Sequence, residues 1–182
     1  MSAVTETHEE KETLAVDVEL PGHDPRKTTS LFEHSKKELE ARVGGRCYIC
    51  GRTSAEAGPL QAHHHPIERC FANMIDWERV ALDFPTFDWK KFFAGAKRET
   101  YTVPAEGDVP AFTATVLVPV DPYLFVDDMR YNGLLLCADH HIHKDEGIHD
   151  LPFPIWIAQR YGKEGYKFSD VEIIHHEQEP SK

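Results

Sequence analysis

The chain has 182 residues, 41% hydrophobic and 28% charged, a mix that suits a water-soluble protein with one sizeable core. No apolar run reaches the length of a membrane span, and the opening MSAVTETHEEKETLAV lacks the basic-then-apolar order of a signal peptide, so a cytoplasmic protein with no membrane partner is expected. The net charge of −11 argues against a broadly basic nucleic-acid-binding surface and leaves room only for a local one.

Residues 1–28 hold seven acids and three bases and end in Pro21-Gly22 and Pro25. Such a segment cannot bury enough apolar surface to offset the entropy of ordering, so it reads as a mobile acidic tail. Limited proteolysis should trim the chain to a fragment starting near Thr29 that melts as the full chain does; a protected N-terminus would show that the tail docks. The domain proper is expected over 29–176, with a polar tail at 177–182. Ser30-Leu-Phe-Glu33 reads as a capping box opening a helix that runs to about Val43 and stops at Gly44-Gly45. Cys47-Tyr-Ile-Cys50-Gly51 follows. Pro59 to His65 reads as a short strand carrying His63, His64 and His65, ended by Pro66.

The next 66 residues, from Pro66 to Tyr131, separate His65 from Asn132 and have structure of their own. Cys70 to Leu82 and Phe87 to Ala94 have helical composition, broken by Pro85. Tyr101 to Val103 and Ala111 to Val118 are β-rich and separated by the hairpin signal Glu106-Gly107-Asp108. Phe84, Phe87, Trp89, Phe92 and Phe93 read as the core of the inserted helices, and Lys90-Lys91 and Lys97-Arg98 as solvated surface. Beyond Cys137-Ala-Asp-His140-His141, Pro154 to Tyr161 reads as a helix capped by Gly162, and Tyr166 to Ile174 as a last strand.

Four cysteines in a reducing compartment are more readily ligands or buried thiols than disulfides. Zinc prefers thiolate and imidazole, and a two-residue gap lets both side chains of a tight turn reach one ion. Cys47 with Cys50, and Cys137 with His140, make two such pairs, enough for a closed tetrahedral site. Cys70 competes for the fourth position; His140 is preferred because its pair repeats the gap of the first.

These pairs, the histidine strand between them and Asn132 five residues before Cys137 resemble the HNH, or ββα-metal, endonucleases of the zinc-knuckle type. The resemblance covers about a third of the chain, and the whole is also similar to HNH-like proteins of bacteriophages. It implies an α+β fold: a zinc-stapled ββα-metal core with an N-terminal helix and a large helix and hairpin insertion at about 67–131. It implies hydrolysis of DNA phosphodiester bonds with magnesium, manganese or nickel as the catalytic cation beside a structural zinc. His64 is then the general base, His63 and His141 hold the cation, and Asn132 bonds across the loop to orient the base. If Pro66 aligns instead with a proline three residues after the base, the base is His63. His149 is an outside candidate for the cation. Two departures from the family stand out: His63 where aspartate is common, and His140 as fourth zinc ligand in place of cysteine.

A rival reading is a zinc-binding module of the same fold with no catalysis, which binds a protein partner through its acidic surface and inhibits a host nucleic-acid enzyme. A pure binding module has no need of the His/Asn/His set.

Overall fold

The computed structural model describes residues 28–144 and 146–161. The expected tail before residue 28, the glycine cap at 162, the strand 166–174 and the polar end 177–182 lie outside the described residues. The fold is α+β, made of short helices and two two-stranded sheets: α1 (Ser30–Arg42), α2 (Ser54–Ala57), β1 (Gln61–His64), a 3-10 turn (Arg69–Met74), α3 (Trp77–Asp83), α4 (Trp89–Phe92), β2 (Lys97–Val103), β3 (Phe112–Val118), α5 (Tyr123–Val126), β4 (Gly133–Leu136), α6 (Ala138–Ile142) and α7 (Phe153–Ala158). Among the described residues no helix is long and apolar enough to cross a membrane. The chain divides into two compact units, one containing 43–63 and 135–161, the other 28–42 and 64–134.

In the second unit α1 starts one residue off the expected cap. Thr29, not Ser30, is the capping residue: its Oγ1 accepts from the Phe32 amide at 3.1 Å, and its carbonyl accepts from the Glu33 amide. Thr28, Thr29 and Ser30 can all cap, so local sequence does not choose among them. Thr29 is selected because its hydroxyl also donates to Asp127 Oδ2 at 3.0 Å. Further along α1, the buried Ser35 hydroxyl lies 3.1 Å from the Asp127 carbonyl and accepts from the Met129 amide at 3.0 Å, tying the helix to the 127–129 turn. Gly133 completes this contact: a Cβ there would sit 2.5 Å from the Met129 carbonyl oxygen and 3.0 Å from Leu39.

The expected long helix from Cys70 to Leu82 is two elements. The 3-10 turn ends at Met74 and Ile75, and Asp76 then caps α3, accepting from the Glu78 and Arg79 amides at 3.1 and 3.3 Å. Asp88 caps α4 through the Lys91 amide at 3.0 Å. These segments bring Trp77, Phe92, Phe125 and Val126 into a buried core, with Phe84, Phe87, Trp89 and Phe93 packed around it. Phe125 is wholly buried, meeting Phe84 and Phe87 edge-on at 5.1 Å. The aromatic cluster is therefore core, as its composition suggests. β2 and β3 pair antiparallel from Lys97 opposite Val118 to Val103 opposite Phe112. β2 begins four residues before the expected strand, because cross-strand partners for 97–100, such as the Thr100–Thr115 hydroxyl pair at 3.2 Å, are supplied by β3.

β1 pairs with β4, and only residues 61–63 and 135–136 of these strands belong to the first unit. The Tyr48 amide donates to the Leu135 carbonyl at 2.7 Å, which ties the Cys47–Cys50 turn to the strand leading into α6. Glu56 reaches back to the start of α2, where its Oε2 accepts from both the Thr53 amide and the Thr53 hydroxyl.

Candidate metal centres

Two groups of ligand side chains form within the first unit, and α6 supplies both. Successive residues on a helix point about 100° apart. His140 is accordingly directed to three sulfurs, and His141 to two other imidazoles.

The first group is Cys47, Cys50, Cys137 and His140, whose ligand atoms all lie within 4.8 Å of one another. Cys50 Sγ is 3.9 Å from Cys137 Sγ, Cys47 Sγ is 3.9 Å from His140 Nδ1, and Cys137 Sγ is 3.1 Å from the same nitrogen. Tetrahedral zinc, with Zn–S of about 2.3 Å and Zn–N of about 2.0 Å, sets ligand–ligand edges of about 3.5–3.8 Å. The cluster is of that size, and it is far too open for a disulfide, whose S–S bond is about 2.05 Å. The first turn is built for the job. The Cys47 amide donates to the Arg52 carbonyl at 2.9 Å and the Gly51 amide to the Cys47 carbonyl at 2.9 Å, and Gly51 takes φ +71°, which favours glycine. On the other side the Trp156 indole donates to the His140 carbonyl at 2.9 Å and fixes α6.

The electrostatics suit a dication. Burial, reinforced by the neighbouring sulfurs of Cys47 and Cys50, pushes the Cys137 thiol up to about 12, because clustered thiolates repel without a positive centre among them. Burial lowers the pKa of His140 and keeps its imidazole neutral, as a metal ligand must be. At Cys50 burial pulls upward too, but Arg52, whose Nε donates to Sγ at 3.3 Å, outweighs it and lowers the thiol. Arg52 is itself anchored by Asp139 at 2.8 Å. Three thiols and one neutral imidazole at these separations can hold a metal such as zinc. Cys70 belongs to the other unit and is half-buried.

The second group is His63, His141 and His149, again within 4.8 Å ligand to ligand. The ring centroids are 5.0–5.2 Å apart, and His63 Nδ1 lies 3.3 Å from His141 Nε2, about the edge that two nitrogens at 2.0–2.1 Å from one ion would share. His63 is buried, His141 half-buried and His149 exposed. Gln61 Oε1 bonds His141 Nδ1 closely. An amide oxygen only accepts, so the proton sits on Nδ1 and the lone pair of Nε2 faces the other imidazoles. Sequence reasoning overlooked Gln61, although its signal was there: residues i and i+2 of a strand share a face, which puts Gln61 beside His63 on β1.

The other two expected site residues belong to the second unit. Asn132 is wholly buried; its Nδ2 donates to the Ile67 and Val126 carbonyls at 2.7 and 2.9 Å, and its Oδ1 accepts from the Ile67 amide at 2.9 Å. It thus bonds across the loop that follows the histidine strand, and the His65 amide donates to its carbonyl at 3.2 Å. His64 lies against the Phe32 ring, with Nε2 3.4 Å from Asp127 Oδ1. Asp127 is 2% exposed. Burial alone would raise its carboxyl, but the approach of His64, bonds from Arg69 and Thr29 and the charge of Arg69 hold it below the usual range. Asp127 and Arg69 carried no signal in the sequence, since acids and arginines at the surface look the same.

No family model, curated protein or solved structure matches the chain.

Proposed function

We propose that the protein is a metal-dependent endonuclease of the HNH type that hydrolyses phosphodiester bonds of DNA. The observation that carries this reading is the His63–His141–His149 group, set one residue along α6 from the ligands of a Cys3His zinc group and backed by Gln61. A closed structural site has no use for a neighbouring set of three neutral ligands. Three protein ligands, by contrast, are what a catalytic site provides when it leaves positions open for water and substrate. A divalent cation held there would stabilise charge on the phosphoryl oxygens and on the departing ester oxygen.

The side chains divide the rest of the work. His63, His141 and His149 orient the cation. His64, the next residue along the chain from His63, takes the proton of the attacking water as its oxygen bonds to phosphorus and the P–O ester bond breaks. Asn132 braces the loop after His65. A set of imidazoles is a better donor for nickel or zinc than for manganese or magnesium, which prefer oxygen ligands. The test is nicking of a supercoiled plasmid with each of these ions in turn. Cutting by the wild-type protein and its loss in His64→Ala support the reading. Failure to cut single-stranded, duplex or branched DNA with any ion overturns it.

The −11 charge favours a second reading, a zinc-stapled module that binds a basic protein surface without cutting DNA. Wild-type protein that binds zinc and leaves every DNA intact would favour it.

A further inference from the structure

We propose that Asp127 is a positioning residue for His64, selecting the tautomer in which Nε2 carries the proton and Nδ1 presents a lone pair. The proposal rests on the reading of His64 as the general base and goes beyond it by naming what sets that base. All the groups involved lie in the second unit.

The carboxylate is held from every side. Arg69 Nη1 is 2.5 Å from both of its oxygens, and the Arg69 guanidinium stacks on the Tyr123 ring at 4.0 Å. Thr29 Oγ1 donates to Oδ2. The backbone around it is pinned as well: the Asp127 amide donates to the Tyr123 carbonyl at 3.0 Å, its carbonyl faces Ser35 Oγ, and Asn132 holds the Val126 carbonyl. His64 Nε2 approaches Oδ1 at 3.4 Å, an ion-pair distance longer than a well-formed hydrogen bond, while Phe32 packs on the ring.

Neutralising Asp127 does not require His64, because Arg69 already supplies a positive charge. Stability does not call for the arrangement either, since buried ion pairs are commonly replaced by apolar side chains without loss. What the carboxylate does for His64 is directional. An ionised carboxylate can only accept, and at 3.4 Å, short of a formed hydrogen bond, its charge favours the proton on the imidazole nitrogen that faces it. The opposite nitrogen then carries the lone pair that a general base needs. A carboxylate performs this service for the imidazole of serine hydrolases, where exchange for an amide leaves the geometry in place and selects the wrong tautomer.

The experiment is nitrogen NMR of His64 in the full-length zinc protein, at a pH where the imidazole is neutral, with the signal assigned by its absence from His64→Ala. The wild type should show a protonated Nε2 and an unprotonated Nδ1. Asp127→Asn, whose amide can donate to Nε2, should shift the population towards the Nδ1–H form. It should also lower kcat for nicking by about 10²-fold or more with KM and zinc content unchanged, and Asp127→Glu should restore part of that loss. A wild-type Nδ1–H tautomer overturns the proposal without recourse to any variant, which covers the case in which Asp127→Asn fails to fold. An Asp127→Asn protein with the wild-type tautomer and wild-type kcat overturns it too. If the wild type cuts no DNA, the nuclease reading falls, and the tautomer measurement still decides the role of Asp127.

Discussion

Protein purified without added zinc should carry one tightly held equivalent, and Cys47→Ser should lose it and unfold or aggregate. Cys47 and Cys50 come from one turn and Cys137 and His140 from the start of α6, so the ion would join segments nearly ninety residues apart in sequence. Structural zinc binds with roughly 10–16 kcal/mol in small zinc modules. Whole domains are stable by about 5–15 kcal/mol, so loss of a ligand removes a contribution as large as the total. Acid should have the same effect. The metal-free Cys137 thiol binds its proton tightly, and protons therefore compete with zinc as the pH falls, whereas the lowered pKa of His140 keeps that ligand neutral until lower pH. Cys70→Ser is the control and should keep both zinc and melting temperature. Metal analysis beside thermal unfolding checks this; less than half an equivalent of zinc, or a Cys47→Ser protein that melts like wild type, contradicts it.

His63→Ala should abolish cutting, by about 10³-fold or more, while leaving the sulfur-bound zinc and the fold in place. At about 1.4 kcal/mol per tenfold, that loss is some 4 kcal/mol of transition-state stabilisation, within the several kcal/mol a Lewis-acid cation supplies. Binding separates this effect from that of His64→Ala. Nickel titrated into zinc-loaded protein should occupy a second, weaker site in wild type and in His64→Ala, and should fail to do so in His63→Ala. His149→Ala distinguishes three ligands from two: with three, nickel affinity falls steeply, and with only His63 and His141 it stays as in wild type. A His63→Ala protein that binds a second nickel as wild type does would show that the three imidazoles merely pack together.

Local features of this chain were legible before any coordinates. The two-residue gaps of Cys47/Cys50 and Cys137/His140 are properties of a turn and of the first turn of a helix, so the four residues that cluster as possible ligands could be named from spacing. The α+β class, the β2–β3 hairpin and the aromatic core around Phe125 followed from composition and turn residues. The cap of α1 did not, because three adjacent hydroxyl residues are equivalent until Asp127 selects Thr29. Nor did the split of the expected helix at Asp76, where a capping carboxylate competes with helix continuation.

The candidate site divides in the same way. The sequence by itself supplied the candidate residue types: three consecutive histidines, an asparagine and a second histidine pair. Only the tertiary structure decided their neighbours, grouping His63 with His141, His149 and Gln61, and seating His64 against Asp127 and Phe32. Side-chain direction alternates along a strand, so adjacent histidines in one run belong to different surroundings. Which distant residues furnish those surroundings depends on chain crossings that no local pattern encodes.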